Sequence, residues 1–166
     1  MNKRIKSVNI GESLPLNISE KEDRNWHIAN QNYLLAAIEV LRDRLESYAA
    51  PADKQAELQA QGDDRKQTFE TAVAALQSPS ALDRLSQLFS LSSFDRQILL
   101  LCVAIELHVD FGSLLTVAHG NSQANYPTLG LALAALADPD WRSIAPNAPL
   151  RYWRLLEIGA GNALTM

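Results

Sequence analysis

The chain has 166 residues, of which 47% are apolar and 20% charged, and a formal net charge of −4 at pH 7. This balance is typical of a folded globular protein and not of a disordered one. The negative charge argues against broad, sequence-independent attraction to nucleic acid or anionic membranes. A single cysteine excludes an internal disulfide. The basic N-terminus lacks the apolar run of a signal peptide, so we expect a cytoplasmic protein with no membrane association.

The first helical pattern extends from Trp26 to Tyr48. Its apolar side chains recur at steps of four and three residues, which places them on one stripe of a helix. The stripe consists of Leu34, Ile38, Leu41, Leu45 and Tyr48. We expect it to pack within its own domain. The alternative is a homodimeric coiled-coil seam formed by two copies of this stripe.

A second helix is predicted to follow and to pack back on the first. Pro51 ends the first helix, because proline cannot continue one. Residues 53–67 are polar and include Gly62-Asp63-Asp64, which predicts a turn or a helix end there. The apolar spacing restarts at Phe69, so the pattern indicates a helix, a polar turn and a helix in an antiparallel hairpin.

Short, strongly apolar helices dominate the second half. Ser80 and Ser92 each precede an aspartate by three residues and are predicted to cap helices. The second of these helices contains the apolar run 98–105 and is predicted to be the central buried helix, too short to span a bilayer. Two further helices are predicted at 110–119 and 128–136, separated by a polar loop, and residues 150–158 are predicted to form a strand.

These elements predict a mainly α protein: a helical hairpin, then a compact domain with one or two short late strands. One late strand behind several short helices is the order of a winged-helix domain. We therefore divide the chain into a mobile tail, a helical hairpin, a winged-helix-like apolar domain and a flexible end. Their bounds are 1–24, 25–78, 79–158 and 159–166.

The sequence contains no motif for catalysis, so we assign no catalytic, cofactor-binding or metal-binding residue and expect no enzymatic activity. None of the five lysines follows a glycine, as a phosphate-binding loop requires. The three histidines lack the spacing of metal ligands. Cys102 lies in the most apolar run, where a thiol behaves as a small hydrophobic group.

DNA binding is also disfavoured. The predicted helix at 128–136 occupies the position of a recognition helix, which normally directs Arg, Lys, Asn or Gln to base edges. This helix has no charged residue, and the uncharged run extends over residues 111–137. We therefore expect nucleic acid not to be a partner.

A late cluster of Arg and Trp is the candidate site for protein interaction, since both residue types are enriched in interface hot spots. The first interpretation is that Trp153 is a core residue and that the arginines are solvated or paired with Asp138, Asp140 or Glu157. The second is that one face of this region docks a protein partner or the rest of a longer chain. The candidate residues are Trp141, Arg142, Arg151, Trp153 and Arg154.

Two stretches resemble the N-terminal winged-helix region of a group of bacterial AAA-type ATPases, often encoded with extracellular contractile injection systems. The first is Trp26-x-x-Ala29-Asn30-Gln31-Asn32-Tyr33-Leu34-x-Ala36-Ala37-Ile38. The second begins with Leu91-Ser92-x-Phe94-Asp95-x-x-Ile98-Leu99-Leu100-Leu101-Cys102 and Glu106-Leu107. It continues with Tyr126-Pro127-Thr128-x-x-Leu131-Ala132-Leu133-Ala134-Ala135-Leu136, Trp141 and Ala148-Pro149-Leu150-Arg151-x-Trp153-Arg154-Leu155.

The resemblance covers residues 25–158 and implies a non-catalytic docking domain that recruits or positions protein partners for an ATP-driven hexameric motor. The ATPase module is absent, so ATP and Mg²⁺ are implied only for that module, itself an expected partner. We expect a fragment of a longer protein or a shortened gene product that ends before the wing is complete. If the second strand of the wing is lost, the first would have an open edge. The alternative function is a stand-alone structural or regulatory protein that dimerises through the Leu34–Tyr48 stripe.

Overall fold

A computed structural model describes residues 18–159 and 163–166 of the chain. It confirms the predicted mainly α fold with short late strands. The α-helices are α1 (Ile18–Ala49), α2 (Gln55–Ala74), α3 (Ala81–Phe89), α4 (Ser93–Leu107), α5 (Phe111–His119), α6 (Leu129–Ala135) and α7 (Pro149–Tyr152). Strands β1 (Glu157–Ile158) and β2 (Leu164–Thr165) follow. Short 3-10 helices lie at Ala52–Lys54 and Trp141–Ile144.

The predicted mobile tail lies outside the described residues up to residue 17, and residues 18–24 belong to α1. Helix α1 ends just before Pro51, as predicted. The hairpin turn follows at once. The prediction of a turn or helix end at Gly62 is wrong, because α2 passes through this position without a break. The prediction took the polarity of this segment as the sign of a turn, but the segment is polar because most of α2 faces solvent.

Gly62 on α2 lies directly against the side chain of Asp43 on α1. A Cβ atom at this position would lie 2.6 Å from Oδ2 of Asp43, which is shorter than a van der Waals contact. The buried and half-buried side of α2 continues from Gly62 through Arg65, Phe69 and Ala72 at steps of three and four residues. Glycine in mid-helix therefore marks a close helix–helix approach here and not a helix end.

Ion pairs hold the hairpin together. The guanidinium of Arg65 on α2 lies 2.6 Å from Glu46, 3.5 Å from Asp43 and 3.7 Å from Glu39, all on α1. Partial burial raises the pKa of Asp43, and the nearby Arg65 opposes that rise. The seam between the two helices thus combines these ion pairs with apolar contact, since the ring centroids of Tyr33 on α1 and Phe69 on α2 lie 5.5 Å apart.

The stripe predicted on α1 is largely buried within the chain. Ile38, Leu41 and Leu45 are between 0% and 2% exposed and belong to one apolar core with residues of α4 and α5. Leu34 is half-buried, whereas Tyr48 is 49% exposed. The preferred interpretation, packing within the chain, is therefore correct for the three central residues. They are not available for the alternative dimer seam.

Helix α4 is the central helix of the core, as predicted. Its buried residues include Phe94, Ile98 and Leu101, each at most 1% exposed. The predicted caps are also confirmed. Ser80 and Ser92 each accept a hydrogen bond from the backbone of an aspartate three residues later, and that aspartate accepts one in return. These reciprocal bonds satisfy amide groups that a helix start otherwise leaves unpaired.

The strand predicted over residues 150–158 is mostly wrong. Pro149 begins the short helix α7, because its fixed φ angle suits a first helical position. Arg154 then adopts a left-handed backbone conformation with φ of 54°, and only Glu157–Ile158 are in a strand.

A second strand pairs with the first, so the open edge that would follow from its loss does not arise. Strand β2 is antiparallel to β1, with Ile158 opposite Leu164, and an isolated bridge joins Ala163 to Thr128. Leu164 is only 2% exposed. The segment assigned to a flexible end therefore contributes to the sheet and the core. Residues 160–162 lie outside the described part of the chain.

Candidate protein-interaction surface

Helix α7 has one side chain buried in the core and large side chains exposed to solvent. Leu150 is fully buried, and it fixes the helix on the core. Tyr152 and Trp153, which follow within one turn, are 66% and 52% exposed. Because α7 has only one turn, it presents one residue to the core, and the large side chains that follow Leu150 lie on the solvent side.

Three aromatic rings meet at this point. The ring centroid of Trp153 lies 4.9 Å from that of Tyr152 and 5.4 Å from that of Phe89, the last residue of α3. The rings are inclined to each other by 87° and 58°. We call Phe89, Tyr152 and Trp153 the aromatic cluster. Edge-to-face pairs of this kind are attractive beyond the area they bury, so the rings hold one another in place while remaining partly exposed.

Further large apolar side chains are exposed in neighbouring elements. Leu88, adjacent to Phe89 in sequence, is 74% exposed, and Trp141 on the 3-10 helix is 70% exposed. Arg151 donates a hydrogen bond of 3.1 Å to the carbonyl oxygen of Ile144 and so ties α7 to this 3-10 helix. The exposed apolar side chains are thus carried by elements that are packed or bonded to one another.

The three predicted arginines differ in whether a carboxylate pairs with them. Arg142 forms an ion pair of 3.0 Å with Asp140, one of the carboxylates proposed for it. Its hydrogen bonds lower the pKa of Asp140. Among the described residues, no carboxylate lies within ion-pair distance of Arg151 or Arg154.

The interpretation of Trp153 as a core residue is wrong, since half of its surface is exposed. Phe89 was not among the residues predicted for this site. The contact between Phe89 and Trp153 joins residues 64 positions apart, and no local pattern reports such a pairing. The Arg and Trp content of the late segment was a sufficient signal for Trp153 but not for Phe89.

Helix α6, which the sequence placed in the position of a recognition helix, is capped by Thr128, as predicted. Leu131 and Ala132 are buried, and the exposed positions Gly130 and Ala134 carry no polar side chain. The outer face of α6 therefore offers no group that could hydrogen-bond to a base edge or pair with a phosphate.

Other reactive groups are inert or dispersed in the part of the chain that the structure describes. Burial raises the pKa of the Cys102 thiol to about 12, so the reactive thiolate is disfavoured at neutral pH. No group of three or more His, Cys, Asp or Glu side chains within residues 18–159 and 163–166 is arranged to hold a metal ion. In the same residues, no helix combines the length and hydrophobicity needed to cross a bilayer.

Comparison with known proteins gives one match. A family model described as a winged helix domain, variant, matches residues 16–163. The matched range includes all the helices, the aromatic cluster and the first strand. The description names a fold, and it names neither an ATPase nor an injection system. No curated protein and no solved structure matches the chain.

Proposed function

Because the chain belongs to the family of variant winged-helix domains, we propose that it is a protein-docking module, and specifically the N-terminal interaction domain of an AAA-type ATPase. In this role it recruits or positions protein partners for the motor. It supplies no chemistry of its own, and binding of ATP and Mg²⁺ belongs to a separate ATPase module.

The observation that supports docking most strongly is the aromatic cluster. Large aromatic side chains are mostly buried in folded proteins, and exposed ones that are held rigidly are enriched in binding hot spots. Tyr152 and Trp153 are more than half exposed although the core lies directly beneath them. Folding of this chain alone gains little from leaving this area open to water.

The assignment to an AAA-type ATPase rests on the two stretches that resemble such proteins. In the structure they are not peripheral, because they supply buried residues of α1 and α4, such as Ile38 and Leu101. Much of the resemblance therefore concerns residues that define the core, while the aromatic cluster supplies the surface. The outer face of α6 carries no charge, which disfavours DNA binding. The stripe of α1 is buried at its centre, which disfavours a dimer seam.

Site-specific photo-crosslinking in the native cell tests the docking role. A photoreactive phenylalanine analogue at Tyr152 should give discrete crosslinked products that the same analogue at Lys66 does not give. Lys66 is exposed on α2 and provides a matched surface control. Mass spectrometry of the products should identify an AAA-type ATPase or its substrate protein. Equal labelling at both positions would contradict a dedicated docking surface.

The link to an ATPase module has a separate test. The native gene should encode, in frame with this chain or in a protein that co-purifies with it, a phosphate-binding loop of the form Gly-x-x-x-x-Gly-Lys-Ser/Thr. A purified native assembly without such a loop and without ATP hydrolysis would refute the motor assignment and leave the docking role in place.

A further inference from the structure

The charged side chains next to the aromatic cluster indicate which chemical class of partner can bind there. Arg151 and Arg154 flank Tyr152 and Trp153 directly in sequence. The side chain of Arg154 is exposed and has no hydrogen-bond partner among the described residues, and Arg151 uses one N–H on a backbone carbonyl. Both guanidinium groups therefore retain donors for an external acceptor.

Among the described residues, this pair shares the lack of a carboxylate partner with Arg24, Arg44 and Arg84. Arg42, Arg65, Arg96 and Arg142 each have a carboxylate within 4 Å. The nearest acidic residue along the chain from Arg154 is Glu157, and it lies beyond ion-pair distance. The aromatic cluster is thus bordered by positive charge that the chain's own carboxylates leave without a direct partner.

The whole chain carries a net charge of −4. Because this net charge is negative, an acidic partner segment gains a favourable contact where it meets the guanidinium groups of Arg151 and Arg154, and these two groups direct it to the cluster. A basic segment would experience the opposite bias. Charge complementarity therefore favours an acidic occupant.

The inclination of the rings favours a peptide over a single-stranded nucleic acid. Successive bases stack on aromatic faces that are presented as parallel platforms. Here the ring of Trp153 stands at 87° to that of Tyr152 and at 58° to that of Phe89. Such an angular surface accommodates one branched or aromatic side chain better than a run of stacked bases.

Resting on the docking role proposed above, we propose that the aromatic cluster binds a peptide segment of a partner protein in which an aromatic or branched apolar residue lies among acidic residues. The apolar side chain contacts Tyr152 and Trp153. The flanking carboxylates pair with the guanidinium groups of Arg151 and Arg154, which can bind a carboxylate through two parallel hydrogen bonds.

Selection from a random 12-residue peptide display library tests the inference even while the natural partner is unidentified. The 166-residue protein is the bait, and selected peptides are re-measured against three variants: Trp153→Ala, Arg154→Glu and Lys66→Glu. The last variant makes the same charge change on the exposed face of α2. Circular dichroism and thermal melting verify that each variant is folded.

We expect peptides enriched in Asp and Glu around an apolar residue. Their affinity should fall by about tenfold or more with Trp153→Ala, as for a hot-spot aromatic residue. It should fall about fivefold with Arg154→Glu, because the reversed charge repels the peptide carboxylates, and less than about twofold with Lys66→Glu. Since Arg154 is exposed, its variant remains informative if Trp153→Ala fails to fold.

Four results would overturn the proposal. Peptides that depend on Trp153 but lack acidic residues and tolerate Arg154→Glu would refute the acidic partner and leave the docking role intact. Selected peptides that are indifferent to both variants would refute both proposals. Tight binding of a 20-residue oligothymidine, or self-association in light scattering that Trp153→Ala abolishes, would assign the cluster to nucleic acid or to a second copy.

Discussion

Helix α4 and the aromatic cluster contain similar side chains but stand in opposite environments. Eight of the fifteen residues of α4 are buried, among them Ile98 and Leu101. Of the four residues of α7, only Leu150 is buried. Composition alone does not distinguish the two regions. What distinguishes the two regions is how many neighbouring elements cover each of them. Helix α4 is central to the core, whereas α7 ends beside the last turn of α3.

This contrast explains how one sequence provides both stability and a binding surface. Burial of apolar area stabilises the fold only where the chain's own elements cover it. A one-turn helix at the edge of the core cannot be covered on all sides, so its large side chains keep apolar area for another molecule. We expect substitutions in α4 to affect mainly folding and those in the cluster mainly binding.

The largest effect that tests this contrast is loss of stability in α4. Leu101→Ala should lower the free energy of unfolding by about 3 kcal/mol, because it removes a fully buried side chain and leaves a cavity. Trp153→Ala removes more atoms but should cost less than about 1.5 kcal/mol, since half of the residue already contacts water. Urea denaturation of both variants provides the comparison. Equal losses would place Trp153 in the core and contradict the contrast.

The same contrast shows which features could be predicted from sequence. The caps at Ser80 and Ser92 and the buried run of α4 were predicted correctly, because capping and apolar periodicity are properties of neighbouring residues. The role of Gly62 inside α2 could not be predicted. The side chain that leaves no room for a Cβ atom there is Asp43, which lies on another helix.

The candidate site followed the same rule. Trp153 was identified by residue type, whereas its partner Phe89 was not, because the pair forms only when α3 and α7 meet. The difference between Arg142 and Arg154 was equally hidden, as it depends on which carboxylates the fold brings within reach. Sequence thus indicated the segment, and the tertiary structure determined which of its side chains remain available.

A smaller effect concerns the connection between the two regions. Gln97 on α4 donates a hydrogen bond to the carbonyl oxygen of Ala137 and accepts one from its amide, both of 3.1 Å, and it also accepts one from Arg44. Ala137 begins the segment that leads to the 3-10 helix and α7. Gln97→Ala should therefore lower the free energy of unfolding by about 1–2 kcal/mol, because part-buried backbone groups lose their partners.

The matched control for this prediction is Gln87→Ala on the exposed side of α3. It should change stability by less than about 0.5 kcal/mol, as for a surface substitution. Urea denaturation again measures both variants, and amide hydrogen exchange at Ala137 reports the local effect. Unchanged protection of that amide in Gln97→Ala would show that the segment is held by other contacts.

The smallest effect concerns an ion pair that joins α1 to the start of α5, in which the Asp110 side chain is 69% exposed and the Arg42 side chain 11% exposed. Arg42 donates hydrogen bonds of 2.9 and 3.3 Å to the two carboxylate oxygens of Asp110, and these bonds lower the pKa of Asp110. A carboxyl group with a lowered pKa in the folded state stabilises the fold above its unfolded pKa of about 4. This contribution disappears as the pH falls through the folded value. Asp110→Asn should therefore melt slightly below the wild type between pH 5 and 7.

The difference in Tm between wild type and Asp110→Asn should shrink as the pH falls below about 4, the ordinary pKa of the carboxyl group. At neutral pH, 1 M salt should reduce it because screening weakens partly exposed pairs. A constant difference across this range would mean that the Asn variant acts through packing. The test separates charge from burial at the junction of α1 and α5, where Arg42 also lies 4.9 Å from the ring centroid of Phe111. Since Phe111 is fully buried, the aromatic contact should persist when the ion pair is lost, and the core should stay intact.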